Sequence, residues 1–313
     1  MPRLRGVLIT LVLASGLVAC GSGSSPPGTS TLDPTTFAAQ VASTDVVAGE
    51  PSRIQIGVIQ SDQAQGVRLL TAGTIDVTLR PFEGGTGTAM QGEGAYVPAP
   101  GTQGDATGTP ALTTPDIARG VYEVGGVSFD EPGIWEAEAS FELDGTPLTL
   151  AARFEVLAEH VLPAPGDEAL RTRNLTLQSP GDPEAIDSRA QDGAPIPDEE
   201  LHEETIADAI SEGRPALVLF ATPVYCQSQF CGPTVDALQG LAESGPGDVA
   251  YIHVEIWADF GASSINEAAG EWLLRDGDLT EPWLFLIGAD GTIIDRWGPL
   301  FDVDQVAAAL AAL

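Results

Sequence analysis

The reading turns on Leu217–Leu241, LVLFATPVYCQSQFCGPTVDALQGL. The unbroken apolar run Leu217 to Ala221 has the length and composition of a strand buried on both faces. Thr222-Pro223 ends it, Cys226 and Cys231 follow, and Val235, Leu238 and Leu241 or Ala242 then recur at helical spacing. A strand therefore delivers a cysteine pair to the mouth of a helix. On a regular helix, residues i and i+3 have Cα atoms about 5 Å apart, and i and i+5 about 8.7 Å. A disulfide generally requires less than about 7 Å, so Cys226 and Cys231 cannot share one regular helix and be bridged. Two arrangements remain. Either the helix begins at Pro233, a good first-turn residue, leaving Cys226 to Cys231 as an irregular turn, or it begins near Cys226 and is distorted locally, with Pro233 kinking it. In both, the pair lies near a helix N-terminus, where the dipole favours the thiolate.

The 313 residues contain only one other cysteine, Cys20. Ahead of it stand Arg3, Arg5 and an apolar run from Gly6 to Ala19, the layout of an export signal and short for a membrane span. Leu17-Val18-Ala19-Cys20 resembles the lipobox of bacterial lipoproteins. That resemblance implies a signal peptide over residues 1–19, cleavage before Cys20, and lipid, palmitate included, on the Cys20 sulfur and new α-amine. It places the protein on the extracytoplasmic face of the cell membrane. GSGSSPPGTST then opens a flexible tether over residues 20–36. With Cys20 lipidated, Cys226 and Cys231 are left as a single pair in a compartment where disulfides persist.

The chain has no lysine; its 13 basic residues are all arginine, against 45 Asp plus Glu, a net charge of −32. Removing residues 1–19 would take away Arg3 and Arg5 and no acid. Nucleic acid is excluded as a partner on these grounds, and attraction to anionic headgroups is too, so the lipid must do the anchoring.

Residues 37–158 hold short runs that largely alternate apolar and polar: Arg53–Gln60, Thr74–Phe82, Gly120–Phe129, Gly133–Leu143 and Leu148–Leu157. Leu143-Asp144-Gly145-Thr146 reads as a hairpin turn, because Asp-Gly supplies the positive φ values such a turn needs. Strands at this spacing predict an immunoglobulin-like β-sandwich, with Glu83–Pro110 as a Gly/Thr-rich loop. Residues 159–195, rich in Pro and Asp, read as linker. Residues 196–313 change rhythm: helix (His202–Gly213), strand (Ala216–Ala221), helix, strand (Val249–Trp257), helix, the hairpin Trp283–Gly288 with Thr292–Trp297 across Ala289-Asp290-Gly291, and a last helix capped by Asp302 with Gln305 completing a capping box. The order predicts a second, α/β domain with crossover helices and an antiparallel hairpin.

ATPVYCQSQFCGP and TEPWLFLIGADGTIIDRW resemble a branch of thioredoxin-domain lipoproteins, over roughly residues 195–313. The thioredoxin superfamily places its redox site where the first buried strand meets the next helix, and a cis-proline before the hairpin strand; Cys226 with Cys231, and Pro282 in Thr280-Glu281-Pro282-Trp283, occupy those positions. Most redox-active members carry Cys-x-x-Cys; this chain has Cys-x₄-Cys. The resemblance implies a thioredoxin-like α/β domain and a thiol-disulfide oxidoreductase: Cys226 the attacking thiolate, Cys231 the resolving one, and Pro282 with Glu281 presenting an edge to the backbone of exported proteins bearing thiols or disulfides.

The alternative function is a non-catalytic envelope binding module whose disulfide only pins the strand-to-helix junction. A two-cysteine loop with a later histidine is also similar to copper-delivery proteins of cytochrome oxidase assembly, which use Cys-x₃-Cys. His160, His202 and His253 are the only histidines, and His253 inside a central strand reads as a satisfied core residue, so no metal site and no cofactor is expected. Glu255 is either a proton shuttle for the dithiol or a solvated strand end. If Cys20 carries the anchor, the mature protein begins at a lipid-modified Cys20 by intact-mass analysis, and Cys20→Ser moves it from the membrane to the soluble fraction; a wild-type protein that keeps residues 1–19, or that stays soluble, refutes the anchor.

Overall fold

Alternation of apolar and polar residues builds the first part of the chain into antiparallel strands. The computed structural model describes residues 32–63, 65–226 and 230–313; the signal segment 1–19, Cys20 and the tether as far as residue 31 lie outside the described residues. The strands are β1 (Phe37–Val41), β2 (Pro51–Asp62), β3 (Gly66–Thr71), β4 (Thr74–Pro81), β5 (Met90–Pro98), β6 (Ala111–Thr113), β7 (Gly120–Ser128), β8 (Gly133–Leu143) and β9 (Thr146–Val156). They form one nine-stranded sheet in the order β6-β3-β2-β7-β5-β4-β8-β9, with β1 also on β2. Asp144 (φ 51°) and Gly145 (φ 76°) make the β8–β9 turn, pairing Leu143 with Thr146. Ile54, Ile56, Val77, Leu79, Tyr122 and Trp135 are buried on it, and Trp135 meets Phe129 edge-on at 4.8 Å.

After this sheet come α1 (Ile206–Ser211), β10 (Ala216–Ala221), α2 (Cys231–Ser244), β11 (Ala250–Glu255), β12 (Trp257–Asp259), β13 (Ser264–Ile265), α3 (Glu267–Leu273), β14 (Leu274–Arg275), β15 (Asp278–Leu279), β16 (Trp283–Ile287), β17 (Ile293–Trp297) and α4 (Val303–Leu310). A four-stranded sheet runs β11-β10-β16-β17, parallel between β10 and β11 and antiparallel elsewhere. All six residues of β10 are buried, with Phe220, Trp272 and Phe285 packed on one side and Leu219, Leu238 and Leu284 on the other.

This architecture overturns the expectation of an all-β immunoglobulin-like sandwich followed by an α/β thioredoxin-like domain. The chain is mostly β, with 40% strand against 18% helix, and the large antiparallel sheet dominates. One cause is β5. Its residues, read as part of a Gly/Thr-rich loop, pair with β4 on one edge and β7 on the other, joining into one sheet the strands that a sandwich would divide between two. Gly92 and Gly94 belong to that strand because a side chain there would press on Val124 and on Ile75 and Tyr122. Another cause is short helices: α1 covers six residues and α3 seven, and the hairpins β12–β13 and β14–β15 flank α3. Residues 159–195, read as linker, contribute buried side chains at Leu162, Ala169, Ile186, Asp187, Ser188 and Ala190.

Asp33–Leu313 is a single compact unit, and polar contacts bind the two sheets. Arg53 forks onto Asp295 at 2.6 and 3.2 Å and lies over Trp297. Gln55 donates to Leu300 O and accepts from Leu300 N while also donating to Glu123. Asp302 caps α4 by accepting from Asp304 N and Gln305 N, but the Gln305 side chain bonds Glu123 instead of closing the expected box. The buried pair is Arg296 with Asp45, 2.7 Å apart, their side chains 7% and 1% exposed. Arg296 also donates to Pro163 O and Asp45 O.

Burial would raise the Asp45 pKa, but His160, Arg296 and the Val161 amide hold it below the ordinary 3.8. Hydrogen bonding to Asp45 raises the His160 pKa above its ordinary 6.5 against burial and the Arg296 charge. The depressed carboxylate contributes stability that is lost as pH falls below its ordinary value; the raised imidazole contributes stability present below its ordinary value and lost at higher pH. Between these two groups the junction is strongest from about pH 4 to about 6.5. Asp45→Asn should lower unfolding stability by about 3–5 kcal/mol, since it leaves a buried guanidinium unpaired, and His160→Gln should remove the decline above about pH 6.5; denaturant unfolding across pH checks both.

Candidate functional site

β10 carries no polar side chain, so the chemistry at this end of the sheet begins where it stops. Thr222 is buried, Pro223 turns the chain, and Val224 donates its N–H to Ser188 Oγ at 3.2 Å. Cys226 follows, partly buried. α2 starts at Cys231, with Phe230 at its N-cap and Pro233 inside the first turn. The first of the two arrangements is thus nearer to the structure, with a helix start two residues before Pro233.

Cys226 and Cys231 form a disulfide, with Cα atoms 6.0 Å apart. That separation is within bridging range because Cys226 lies off the helix. Cys231 N–H also points at Cys226 Sγ, 3.4 Å away. The two cysteines are unequal: Cys231 is 0% exposed, whereas Cys226 is only partly buried. Beside Cys226, Tyr225 stacks on Phe260 with ring centres 4.0 Å apart, and Phe260, 45% exposed, meets Trp257 edge-on.

The structure brings Glu281 to the pair. Its carboxylate and both sulfurs lie within 4.8 Å of one another. The Glu281–Pro282 peptide is cis, and Trp283 next to it is fixed by a hydrogen bond to Thr280 and by the Gly298 backbone, so close that a Cβ there would meet the indole at 2.8 Å. Burial, and then the charge of Glu255, push the Glu281 pKa up to about 7. A carboxyl that exchanges its proton near neutrality suits general acid-base work on a thiol.

Glu255 is not a solvated strand end; it is 1% exposed and accepts from Ser188 N, Ile256 N and Trp257 N. Burial raises its pKa, opposed by His253, Thr222 and Ser188. One residue pair along β11, His253 is buried with His202 and Asp187, and Arg189 grips Asp187. Sequence reasoning missed this cluster because Asp187 and Arg189 sit in the segment read as linker. The signal was the Ile186-Asp187-Ser188-Arg189 alternation, which places opposite charges two residues apart beside an apolar residue. Among the described residues, the third group at the sulfurs is the Glu281 carboxyl and not a histidine.

Comparison with protein-family models, with curated proteins and with solved structures finds no match. No helix among the described residues is long and apolar enough to cross a membrane.

A raised folded-state pKa means that the native protein binds the extra proton, so the contribution of Glu281 is present below its ordinary 4.5 and is lost as pH rises through about 7. The loss amounts to about 3 kcal/mol. Glu281→Gln should therefore flatten the stability profile between about pH 5 and 7, and should leave the oxidised protein more stable than wild type at pH 8, measured by denaturant unfolding.

Proposed function

We propose that the protein is a thiol-disulfide oxidoreductase acting through Cys226 and Cys231, anchored to the extracytoplasmic face of the membrane by lipid on Cys20. The observation that carries this reading is the asymmetric disulfide beside a carboxyl whose pKa is pushed up to about 7: one partly buried cysteine, one fully buried, and Glu281 within 4.8 Å of both sulfurs. A thiolate of an exported dithiol protein attacks Cys226 Sγ, the Cys226–Cys231 bond breaks, and its electron pair passes to Cys231 Sγ, which takes a proton from Glu281. The partner's second thiolate then attacks the partner sulfur of the mixed disulfide, and Cys226 leaves as a thiolate. Two electrons have moved, the partner is oxidised and this protein is reduced; run backwards, the same steps reduce a disulfide. In that direction a Cys226 thiolate at the N-terminus of α2 is the attacking group, favoured by the helix dipole.

Pro282 and Glu281 are the edge offered to the partner's backbone, and the exposed Tyr225–Phe260 stack is an apolar platform next to the reactive sulfur. A relationship to thioredoxin-superfamily lipoproteins belongs to the same proposal; its support is the cysteine pair at a strand-to-helix junction, with Pro282 preceding a hairpin strand. The second reading, a structural disulfide, draws on the complete burial of Cys231.

The Cys231→Ser protein should accumulate mixed disulfides on Cys226, separable on non-reducing gels and absent from Cys226→Ser. The wild-type pair should have a reduction potential among those of exchange proteins; a value below about −300 mV together with no trapped partner leaves the structural reading standing. Glu281→Gln should slow exchange and shift its pH dependence near neutrality, while Glu281→Asp restores part of the rate.

A further inference from the structure

We propose that Asp187, His202 and His253 form a binding site for one divalent first-row ion of zinc type at the C-terminal end of β10. The three donors come from separate pieces of chain: Asp187 caps the 3-10 turn Ser188–Gly193, His202 closes the turn Glu199–His202, and His253 lies in β11. Their donor atoms all fall within 4.8 Å of one another. Asp187 Oδ2 lies 3.4 Å from His202 Nε2 and 3.5 Å from His253 Nδ1, and all three side chains are 0% exposed. Neither of these ring nitrogens has a hydrogen-bond partner among the described residues, and those separations are longer than the usual N–H···O range of about 2.7–3.2 Å. They match the ligand-to-ligand edge of a tetrahedron with metal bonds of about 2.0–2.1 Å, roughly 3.3–3.4 Å.

Hydrogen positions argue the same way. His253 Nε2 is 3.0 Å from Ala221 O, which can only accept, so Nε2 carries the hydrogen. In a neutral ring Nδ1 then turns a lone pair toward the Asp187 carboxylate. Two lone pairs facing each other in a site closed to solvent repel unless a proton or a metal ion lies between them. His202 adds a second orphaned atom, since its Nε2, which faces the same carboxylate, has no hydrogen-bond partner among the described residues. The outer contacts have the form that orients metal ligands: a backbone carbonyl on the far nitrogen of one imidazole, and a guanidinium on the carboxylate. Arg189 supplies the latter at 2.6 and 3.0 Å and is itself balanced by Asp198 at 2.8 Å, so the Asp187 charge is not consumed. Two imidazoles and one carboxylate select zinc and its neighbours over magnesium or calcium. The bound ion would tie both 3-10 turns to β11. Three protein donors, rather than four, set its affinity below that of closed structural zinc sites.

The test uses the full-length protein in its disulfide form, stripped by a chelator and titrated with Zn²⁺ and with Co²⁺, so that thiolates at Cys226 and Cys231 cannot contribute. One ion per chain, a visible Co²⁺ ligand-field spectrum of nitrogen and oxygen donors, and a higher unfolding temperature with Zn²⁺ are expected. His202→Gln and His253→Asn should each bind Zn²⁺ at least tenfold more weakly. No ion bound at micromolar Zn²⁺, or unchanged binding in both variants, overturns the proposal. Nitrogen-15 imidazole spectra of the wild-type protein decide the matter if the variants fail to fold. Zn²⁺ should shift the His202 and His253 ring nitrogens; a His253 imidazolium whose signals ignore Zn²⁺ means that a proton, and not a metal, bridges it to Asp187.

Discussion

Six consecutive residues of β10 lie out of water on both faces of a sheet, and that constraint arranges everything around them. A strand so enclosed can offer polar chemistry only at its ends. At its C-terminal end, within a few residues, come the carbonyl that His253 bonds, the buried Thr222, and the turn that sets Cys226 off the helix axis. The same core holds Cys231 at the first position of α2, in one buried cluster with Leu219, Leu238 and Leu284 and closed to solvent. The difference in burial between the two cysteines is therefore a by-product of core packing.

Buried charge is concentrated behind this end of the sheet and kept in balanced groups. Burial would raise the Asp187 pKa, but Arg189, which grips both carboxylate oxygens, acts to hold it below its ordinary value. Glu255, two residues from His253 on β11, has three backbone donors but too little solvent, and its pKa moves the other way. Its negative charge reaches Glu281 and adds to the burial there. His253, Glu255 and Glu281 thus form a series in which His253 opposes the rise at Glu255 and Glu255 adds to the rise at Glu281.

Local pattern carried much of this and tertiary pairing carried the rest. The buried strand Ala216–Ala221, the Asp144-Gly145 hairpin and the Asp302 cap follow from periodicity and turn chemistry that need no distant partner. The joining strand β5 does not, because Met90–Pro98 contains Gly92 and Gly94, whose composition signals a loop; only close approach to Val124 and Tyr122 explains why glycine suits a strand there. The short helices escaped for a related reason: the apolar recurrence in Ile265–Leu273 is helical in period, yet the chain leaves the helix at Leu274 to form a hairpin. At the site, the two cysteines were legible by spacing alone. Glu281 was named only as a neighbour of Pro282, and its approach to the sulfurs depends on how β16 is laid against β10. Asp187 and Arg189 were hidden by a composition of Pro and Asp that resembles a linker, and the contacts that enclose Asp187 and its neighbour Ser188 are with His253 and Glu255, more than sixty positions away.

Gln55 joins the large sheet to the smaller one by a device that differs in kind from the Arg296–Asp45 pair. Its side-chain amide gives a hydrogen to the Leu300 carbonyl and receives one from the Leu300 nitrogen. In effect it imitates a stretch of main chain and lends the neighbouring loop a strand partner that the fold does not otherwise provide. An amide holds no titratable proton and no net charge, so this rivet is blind to acidity and to ionic strength; when His160 changes its protonation at the other fastening, the sheets keep one point of attachment that does not respond.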